Sequence, residues 1–346
     1  MPAPVVEVSP NTARVSVRLL APFVAASDAL AVPVDVGLER LGLSRKALED
    51  PDLRVSHSVA QQLLSGAVLT SGQRDLGLLA AELALPAHLD VVEYVARAQP
   101  TAGKALESAA RYHALLHDGL AIDMRREGDH LILRVDFGVL PIDEAAYEFT
   151  LAVYVMAMRR VLGLATFAPL EVRFVHARPK DLTRHERVFA CPIVFGAAEN
   201  AIVLPLDHAD IPLAGADSGL AAMLDRHAQA ALQKLGRTQS LIERVREHVG
   251  REIASGSLGA DIVSKRMAMS ARTLHRKLTD ANTSYRAVVD EVRKELALRY
   301  LEDKTLAVRE VGHLLGFTTS PSFHRAFRRW TGTTPAEYRA SHRKNE

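Results

Sequence analysis

The sequence has 346 residues, which favours two domains over one, and its hydrophobic content of 48% and charged content of 24% are ordinary for a globular protein. A single cysteine, Cys191, excludes an internal disulfide framework and fits a reducing compartment. The most apolar run, residues 151–158, is too short to span a bilayer, and the first residues lack the pattern of a signal peptide, so we expect a cytoplasmic protein that does not enter a membrane.

Charge is distributed unevenly along the chain. Residues 1–236 carry 22 Lys and Arg against 28 Asp and Glu, whereas residues 237–346 carry 21 against 13. A basic part joined to an acidic part is typical of a nucleic-acid-binding module attached to another domain. A mildly basic solvated surface would give the same count, so charge alone leaves nucleic-acid binding open.

The first 236 residues predict an α+β domain in which helices pack on a small sheet. Period-two alternation around Glu127-Gly128-Asp129 indicates a hairpin. The other apolar patterns predict helices at about 17–30, 59–70, 76–85, 103–116, 143–163 and 217–235, and strands at 120–126, 130–137, 170–175, 193–195 and 201–204. We expect Gly236 to close the last helix and residues 236–240 to link the two domains.

Residues 237–346 predict a domain that contains only helices, joined by short breaks. We expect Ser270 and Ser284 to be N-caps, and Ser320 and Pro321 to be the N-cap and first residue of a further helix. Gly316 and Gly332 are suited to close helices. The predicted helices begin near 241 and then cover about 261–267, 271–279, 284–302, 308–315 and 321–331, followed by one that starts with a capping box at 334–337.

Two helix-turn-helix pairs lie in this part of the chain, 261–267 with 271–279 and 308–315 with 321–331. In this motif the second helix lies in the major groove of DNA, and its early residues meet the base edges. Both second helices carry basic or polar side chains opposite their apolar anchors. We therefore expect DNA contacts from Arg272, Thr273, His275, Arg276 and Lys277 in the first, and from Ser320, Ser322, His324, Arg325, Arg328 and Arg329 in the second.

These residue types suit DNA. Arginine can donate two hydrogen bonds to guanine, and further cations can pair with phosphates and release counterions. The helix between the pairs would be roughly 28 Å long, against about 34–36 Å for one turn of DNA. A plain helical bundle with solvated basic faces would explain either pair alone, whereas two pairs, a stiff spacer and the charge shift together favour DNA recognition.

The segment from Met269 to Leu278 resembles the first recognition helix of the AraC/XylS family of regulators, and the segments 311–317 and 323–335 resemble the C-terminal signature of that family. This resemblance implies a double helix-turn-helix fold with RNA polymerase as the downstream partner. It places the base-reading positions on Arg272, His275, Arg276, Ser320, Ser322 and Arg325. The chain departs from the family pattern at Ser264 and Gly312, where alanine is usual, and at Pro321, one place later than usual.

The front domain resembles the effector domain of one AraC subgroup, which includes the ornithine-utilisation regulator and VirS. Segments 174–176, 187–196 and 200–204 carry this resemblance. It implies that residues 1–236 bind a small-molecule effector of unknown identity and form a homodimer, and that residues 237–346 bind promoter DNA. Activation is implied rather than repression.

Other side chains suggest other chemistry. His113 and His117 have a spacing that can hold a metal, but no third ligand is near, and we favour a surface pair. Cys191 is expected to be a buried structural thiol in a strand, because no basic cluster would lower its pKa. His176 and His185 have no catalytic motif around them.

The pairs Arg125-Arg126 and Arg159-Arg160 could bind an acidic ligand, but we favour solvated side chains. The sequence therefore predicts a DNA-binding transcription factor in the cytoplasm, associated with the bacterial nucleoid, without cofactor, metal or enzymatic activity. Two alternatives stay open: a nonspecific architectural DNA binder, and an enzyme-like sensor domain with a regulatory DNA-binding tail.

Overall fold

The computed structural model describes residues 13–255, 259–303 and 306–342. The segment expected to lack a signal peptide, the start of the first predicted domain and the end of the second lie outside these residues. Contacts divide the chain into two compact units with a boundary between Lys234 and Leu235, here called unit 1 and unit 2.

Unit 1 begins with two short strands, β1 (Arg14–Ser16) and β2 (Arg54–Ser56), which pair antiparallel. Its helices are α1 (Ala21–Ala29), α2 (Val34–Arg40), α3 (His57–Ser71), α4 (Leu76–Glu82), α5 (Pro86–Arg97), α6 (Ala102–Tyr112), α7 (Glu144–Leu162), α8 (Thr183–Phe189) and the first part of α9 (Ser218–Ser255). The helix expected over 17–30 is a single 3-10 turn followed by α1, and α2, α5 and α8 were not predicted.

The sheet of unit 1 has five strands: β3 (Ala121–Glu127), β4 (His130–Asp136), β5 (Glu171–Phe174), β6 (Ile193–Phe195) and β7 (Asn200–Pro205). Their order is β3-β4-β7-β5-β6, and only β5 and β6 run parallel. The predicted hairpin is confirmed, with Glu127 opposite His130. Because β4 and β5 both pair antiparallel with β7, they end at the same edge of the sheet, where β7 begins.

One glycine fixes the closest helix contact in unit 1. A Cβ atom built on Gly77 of α4 would lie 1.9 Å from the carbonyl oxygen of Ala145, at the start of α7. Only a residue without a side chain lets the two backbones approach this closely. Helix α7 in turn buries Leu151, Ala152 and Val155 in the main core.

The predicted helix end at Gly236 is wrong. Helix α9 continues without a break from Ser218 to Ser255, so the expected linker at 236–240 is helical backbone. A glycine inside a helix costs about 1 kcal/mol relative to alanine, and the helix-favouring residues around Gly236 offset that cost.

Unit 2 contains the remainder of α9 and six further helices among its described residues. They are α10 (Ala260–Arg266), α11 (Ala271–Asp280), α12 (Tyr285–Glu302), α13 (Val308–Leu314), α14 (Ser320–Thr331) and α15 (Pro335–His342). Each matches a predicted helix to within one or two residues. The fold class is confirmed: a mixed α/β front part and a helical part with two helix-turn-helix motifs.

His113 and His117 are not a surface pair. His117 is buried and lies beside His57, with 3.0 Å between His117 Nε2 and His57 Nδ1. His57 Nε2 lies 2.8 Å from the carbonyl oxygen of Pro141, which can only accept, so the Nε2 proton belongs to His57. Its Nδ1 must then accept from His117 Nε2–H, and His117 Nδ1 accepts from the N–H of Gly119 at 3.0 Å. Both rings are therefore neutral, and every ring nitrogen is satisfied.

This pair predicts a loss of stability in acid. Burial is the main cause that lowers the pKa of both histidines in the fold, that of His117 to about 3, while the unfolded value is 6.5. Below pH 6.5 the unfolded chain takes up protons that the folded chain refuses, so the contribution is fully present above pH 6.5 and falls as the pH drops. At pH 5 we expect a loss of about 2 kcal/mol from His117, measured by calorimetric unfolding against pH 7.5.

The variant His117→Gln supplies the comparison. Glutamine can accept from the Gly119 N–H and donate to His57, but it does not titrate. The difference in stability between pH 7.5 and pH 5 should shrink in this variant. An equal pH dependence in the variant and the parent chain would contradict the neutral-pair assignment.

Candidate nucleic-acid interface

Helix α12 is shared by the two hydrophobic cores of unit 2. Its first half places Val288, Val289 and Val292 among the apolar residues of α9, α10 and α11. Its second half places Ala297 and Leu301 among those of α13 and α14. The 18 residues of α12 give a length of about 27 Å. The separation of the two helix-turn-helix motifs is therefore set by a rigid helix.

The first motif consists of α10 and α11. Ser270 caps α11 as predicted, since its Oγ accepts from the Thr273 N–H at 3.1 Å. Leu274 and Leu278 are buried and anchor α11 in the core. The opposite face exposes four of the five predicted residues, and Thr273 alone is half-buried with its hydroxyl 2.8 Å from that of Ser270. The exposed residues are Arg272, His275, Arg276 and Lys277, and none of them forms an ion pair with another described residue.

The second motif consists of α13 and α14. Helix α14 begins one residue earlier than predicted, with Thr319 as N-cap and Ser320 as its first residue, so Pro321 occupies the second helical position. Phe323 and Phe327 are buried anchors. Among the predicted contact residues, Arg325, Arg328 and Arg329 are exposed, whereas Ser320, Ser322 and His324 are half-buried.

Two of these side chains already have partners in unit 2. Ser322 Oγ donates to the carbonyl oxygen of Thr319 at 2.6 Å, within the first turn of α14. Arg329 forms an ion pair of 3.0 Å with Asp290 of α12. The structure thus gives Arg329 an orienting contact, while Arg325 and Arg328 have no ion pair among the described residues.

Arg293 is a residue that the sequence analysis missed and that positions the second motif. It projects from α12 and donates from Nε to the carbonyl oxygen of Leu315 at 3.0 Å, with a second contact from Nη2 to that of Gly316 at 3.4 Å. Its guanidinium group also lies 4.4 Å from the ring centre of Phe317. The turn between α13 and α14 is therefore held on α12, and the only sequence signal is a cation within the apolar stripe of that helix.

Two of the three departures from the family pattern, Gly312 and Ser264, have structural reasons. A Cβ atom on Gly312 would lie 3.1 Å from Phe323, so α13 and α14 pack more closely there than alanine comfortably allows. Ser264 is buried, and its hydroxyl donates to the carbonyl oxygen of Asp261 at 3.0 Å. Both changes are accommodated within the helix-turn-helix geometry.

The other sequence candidates are structural. Cys191 is half-buried in the loop before β6 rather than in a strand, and burial raises the pKa of its thiol to about 11. Arg159 donates to the carbonyl oxygens of Phe167 and Val188 at 2.8 and 2.7 Å, so it is not a free solvated cation.

Two further arginines that the sequence analysis expected to be solvated form ion pairs instead. Arg160 pairs with buried Glu93 and Arg125 with Glu199. Among the described residues, no group of three metal-binding side chains is close enough to hold an ion, and no helix is long and apolar enough to cross a membrane.

Comparison with known proteins gives two family matches. Residues 32–213 match the model described as the arabinose-binding domain of AraC transcription regulator, and residues 263–341 match a helix-turn-helix domain. The second match spans all of α11 to α14 and so contains every predicted DNA-contact residue.

Individual proteins match over most of the chain. The ornithine utilization regulator of Pseudomonas aeruginosa is 28% identical over 332 residues, covering 92% of this chain and 96% of that protein. The regulator VirS of Mycobacterium tuberculosis is 25% identical and covers 77% and 78%. A crystal structure of the transcriptional regulator CdpR from Pseudomonas aeruginosa is 24% identical with a TM-score of 0.41, covering 89% and 96%. Because the first family model extends over more than half of the chain, the protein belongs to the AraC family of DNA-binding transcription regulators.

Proposed function

We propose that the chain binds a specific promoter sequence through α11 and α14, which enter successive major grooves. The observation that carries this proposal is the pair of exposed basic helix faces, each anchored on one half of α12. A spacer of about 27 Å, together with the width of the two helices, suits the 34–36 Å repeat of B-DNA.

The predicted contact residues divide into two roles. Arg272, His275 and Arg276 on α11, and Ser320, Ser322 and Arg325 on α14, occupy early or central positions and are proposed to meet base edges. Lys277 and Arg328 lie further along and are proposed to pair with phosphates, as are Thr273 and His324 near the helix starts. Arg329 is proposed to contact DNA while Asp290 orients it.

We infer further that unit 1 binds a small-molecule effector and forms a homodimer, and that unit 2 acts on RNA polymerase as an activator. The family match supports an effector in unit 1, since AraC-type regulators respond to small molecules through this domain. Effector binding would shift populations between arrangements that bind DNA well and poorly. The proposed place of action is the bacterial nucleoid in the cytoplasm, and the proposed role is regulation without catalysis.

The two central arginines test the proposed base contacts. Replacing Arg276 or Arg325 with alanine should weaken binding to a selected site by about 1–3 kcal/mol and relax the base preference at one position, because each arginine can donate two hydrogen bonds to a guanine. Both are exposed, so the fold should tolerate the change. Fluorescence anisotropy with the selected site and single-base variants measures both effects.

Arg126, exposed on β3 of unit 1, gives the matched control. Arg126→Ala removes the same charge and should leave affinity and base preference unchanged. Unaltered binding by both Arg276→Ala and Arg325→Ala would show that other residues read the sequence.

Adjacent arginines on α14 should differ in their salt dependence. Arg328→Ala removes a phosphate contact and should lower the slope of log K against log salt by about 0.9. Arg329→Ala should lower it less, because the charge of Arg329 is partly neutralised by Asp290 at 3.0 Å. Titrations of the full chain between low and moderate salt measure the slopes, and equal slopes in the two variants would argue against this division.

Self-association provides a separate test of the assembly. We expect the full chain to sediment as a dimer at micromolar concentration, because unit 1 is proposed to form a homodimer. Sedimentation as a monomer, with promoter DNA still bound specifically, would remove the dimer from the proposal.

A further inference from the structure

A polar cavity of about 360 Å³ lies at the edge of the unit 1 sheet where β4 and β5 end and β7 begins. The first turns of α7 close its other side. Its volume falls in the range of small-molecule sites, about 300–1,000 Å³. Two cavities of about 70 Å³ elsewhere in unit 1 are lined almost entirely by apolar side chains, and a larger one of about 550 Å³ between α2 and α3 is mainly apolar.

Among the described residues that line this cavity, one carboxylate has no ion pair and no arginine is unpaired. The lining acids are Asp136, Glu144 and Glu199 beside Arg134, and Arg125 and Arg173 also pair with Glu199. Arg134 is already engaged, because it pairs with Asp136 and lies 3.3 Å from Asp123. An anionic ligand would therefore meet carboxylates without a free arginine to bind it.

Glu144 is the lining carboxylate that has no ion pair among the described residues. It is exposed at the first position of α7, where the helix dipole favours an ionised carboxylate, and it forms no ion pair with another described residue. Glu199, by contrast, is neutralised by Arg125 at 2.5 Å and Arg173 at 3.6 Å.

His176 adds an independent observation at the cavity wall. Its side chain is only 6% exposed, its Nε2 has no hydrogen-bond partner among the described residues, and this atom lies 3.7 Å from Oε1 of buried Glu148. His176 Nδ1 lies 3.0 Å from the carbonyl oxygen of Ala177, to which it donates. In the neutral ring Nε2 is then an acceptor that faces an acceptor.

The missing element at this position is a hydrogen-bond donor. Glu148 Oε1 accepts from His185 at 2.7 Å, while its Oε2 has no partner among the described residues. Three buried atoms of this cluster lack a partner, Glu148 Oε2, His176 Nε2 and His185 Nδ1, and the first two are acceptors that suit a group with several N–H donors. The rings of Phe174 and Phe195, with centres 4.9 and 5.5 Å from that of His176, pack against the histidine ring.

We propose that unit 1 binds a small organic amine in this cavity, with its ammonium group held by Glu144 at the rim and by Glu148 behind His176. Because His176 lines the cavity and Glu148 does not, the proposed contact with Glu148 requires the His176 side chain to rotate. The inference rests on the proposed role of unit 1 as an effector domain and names the chemical class of that effector.

Calorimetric titration of the full chain with n-pentylamine tests this assignment. Pentan-1-ol and pentanoate are its uncharged and anionic counterparts, and L-arabinose represents a neutral sugar. We expect saturable binding of the amine alone. Glu148→Gln should weaken it at least tenfold, because a charge-assisted hydrogen bond is lost, and Glu144→Gln about threefold. Exposed Glu107 on α6 supplies the control Glu107→Gln, which should bind as the parent chain does.

Several outcomes would overturn the assignment. They are failure of the amine to bind, binding of the alcohol, the acid or arabinose as tightly as the amine, and unchanged amine binding in both glutamine variants. Glu144 is exposed, so its variant remains informative if Glu148→Gln fails to fold. Promoter binding is measured on the same samples: specific DNA binding without amine binding refutes this inference alone, and amine binding without specific DNA binding refutes the proposed DNA recognition alone.

Discussion

The packing of one helix into two cores is the constraint on which the DNA-facing surface depends. Helix α12 gives Val289 and Val292 to the core beneath α11, and Leu301 to the core beneath α14. Because protein interiors are close-packed, neither recognition helix can shift along α12 without opening a void, and truncating a buried leucine typically costs about 2–5 kcal/mol. Arg293 of α12 adds a hydrogen bond to the turn between α13 and α14. The length of α12, and not a flexible connection, thus sets the separation of the two helix-turn-helix motifs.

Periodicity predicted the elements whose burial repeats regularly and failed where tertiary context decides. The hairpin and the helices of unit 2 have uninterrupted apolar periods and clear caps, such as Ser270 and Ser284, so their bounds were nearly right. Helix α5 was missed although its buried residues keep helical spacing, and its backbone is kinked at Asp90, where φ is 50°. Gly236 was taken as a helix end, although a glycine closes a helix in this way only where the glycine itself adopts the left-handed conformation. In α9 it does not.

The exposure of the proposed DNA-contact residues on α11 was predictable because that helix is amphipathic. Once Leu274 and Leu278 are fixed as anchors, Arg272, His275 and Arg276 must point away from the core. Pairings between distant segments leave no such pattern. Asp290 and Arg329 are 39 positions apart, and Arg293 reaches 22 positions to Leu315. The same holds for His57 and His117, which are 60 positions apart: His117 was expected to lie at the surface beside His113, but it is buried beside His57.

Buried polar groups in unit 1 fall into two kinds, and the difference bears on function. His57 and His117 satisfy each other and two backbone groups, and Glu93 receives two hydrogen bonds from Arg160 at 3.0 and 2.8 Å. Such closed networks rigidify a fold without requiring a ligand. Glu148 and His176 form an open one, in which each buried unsatisfied group costs about 1–3 kcal/mol. A ligand that supplies the missing donor would offset this cost, and the open network lies at the wall of the polar cavity.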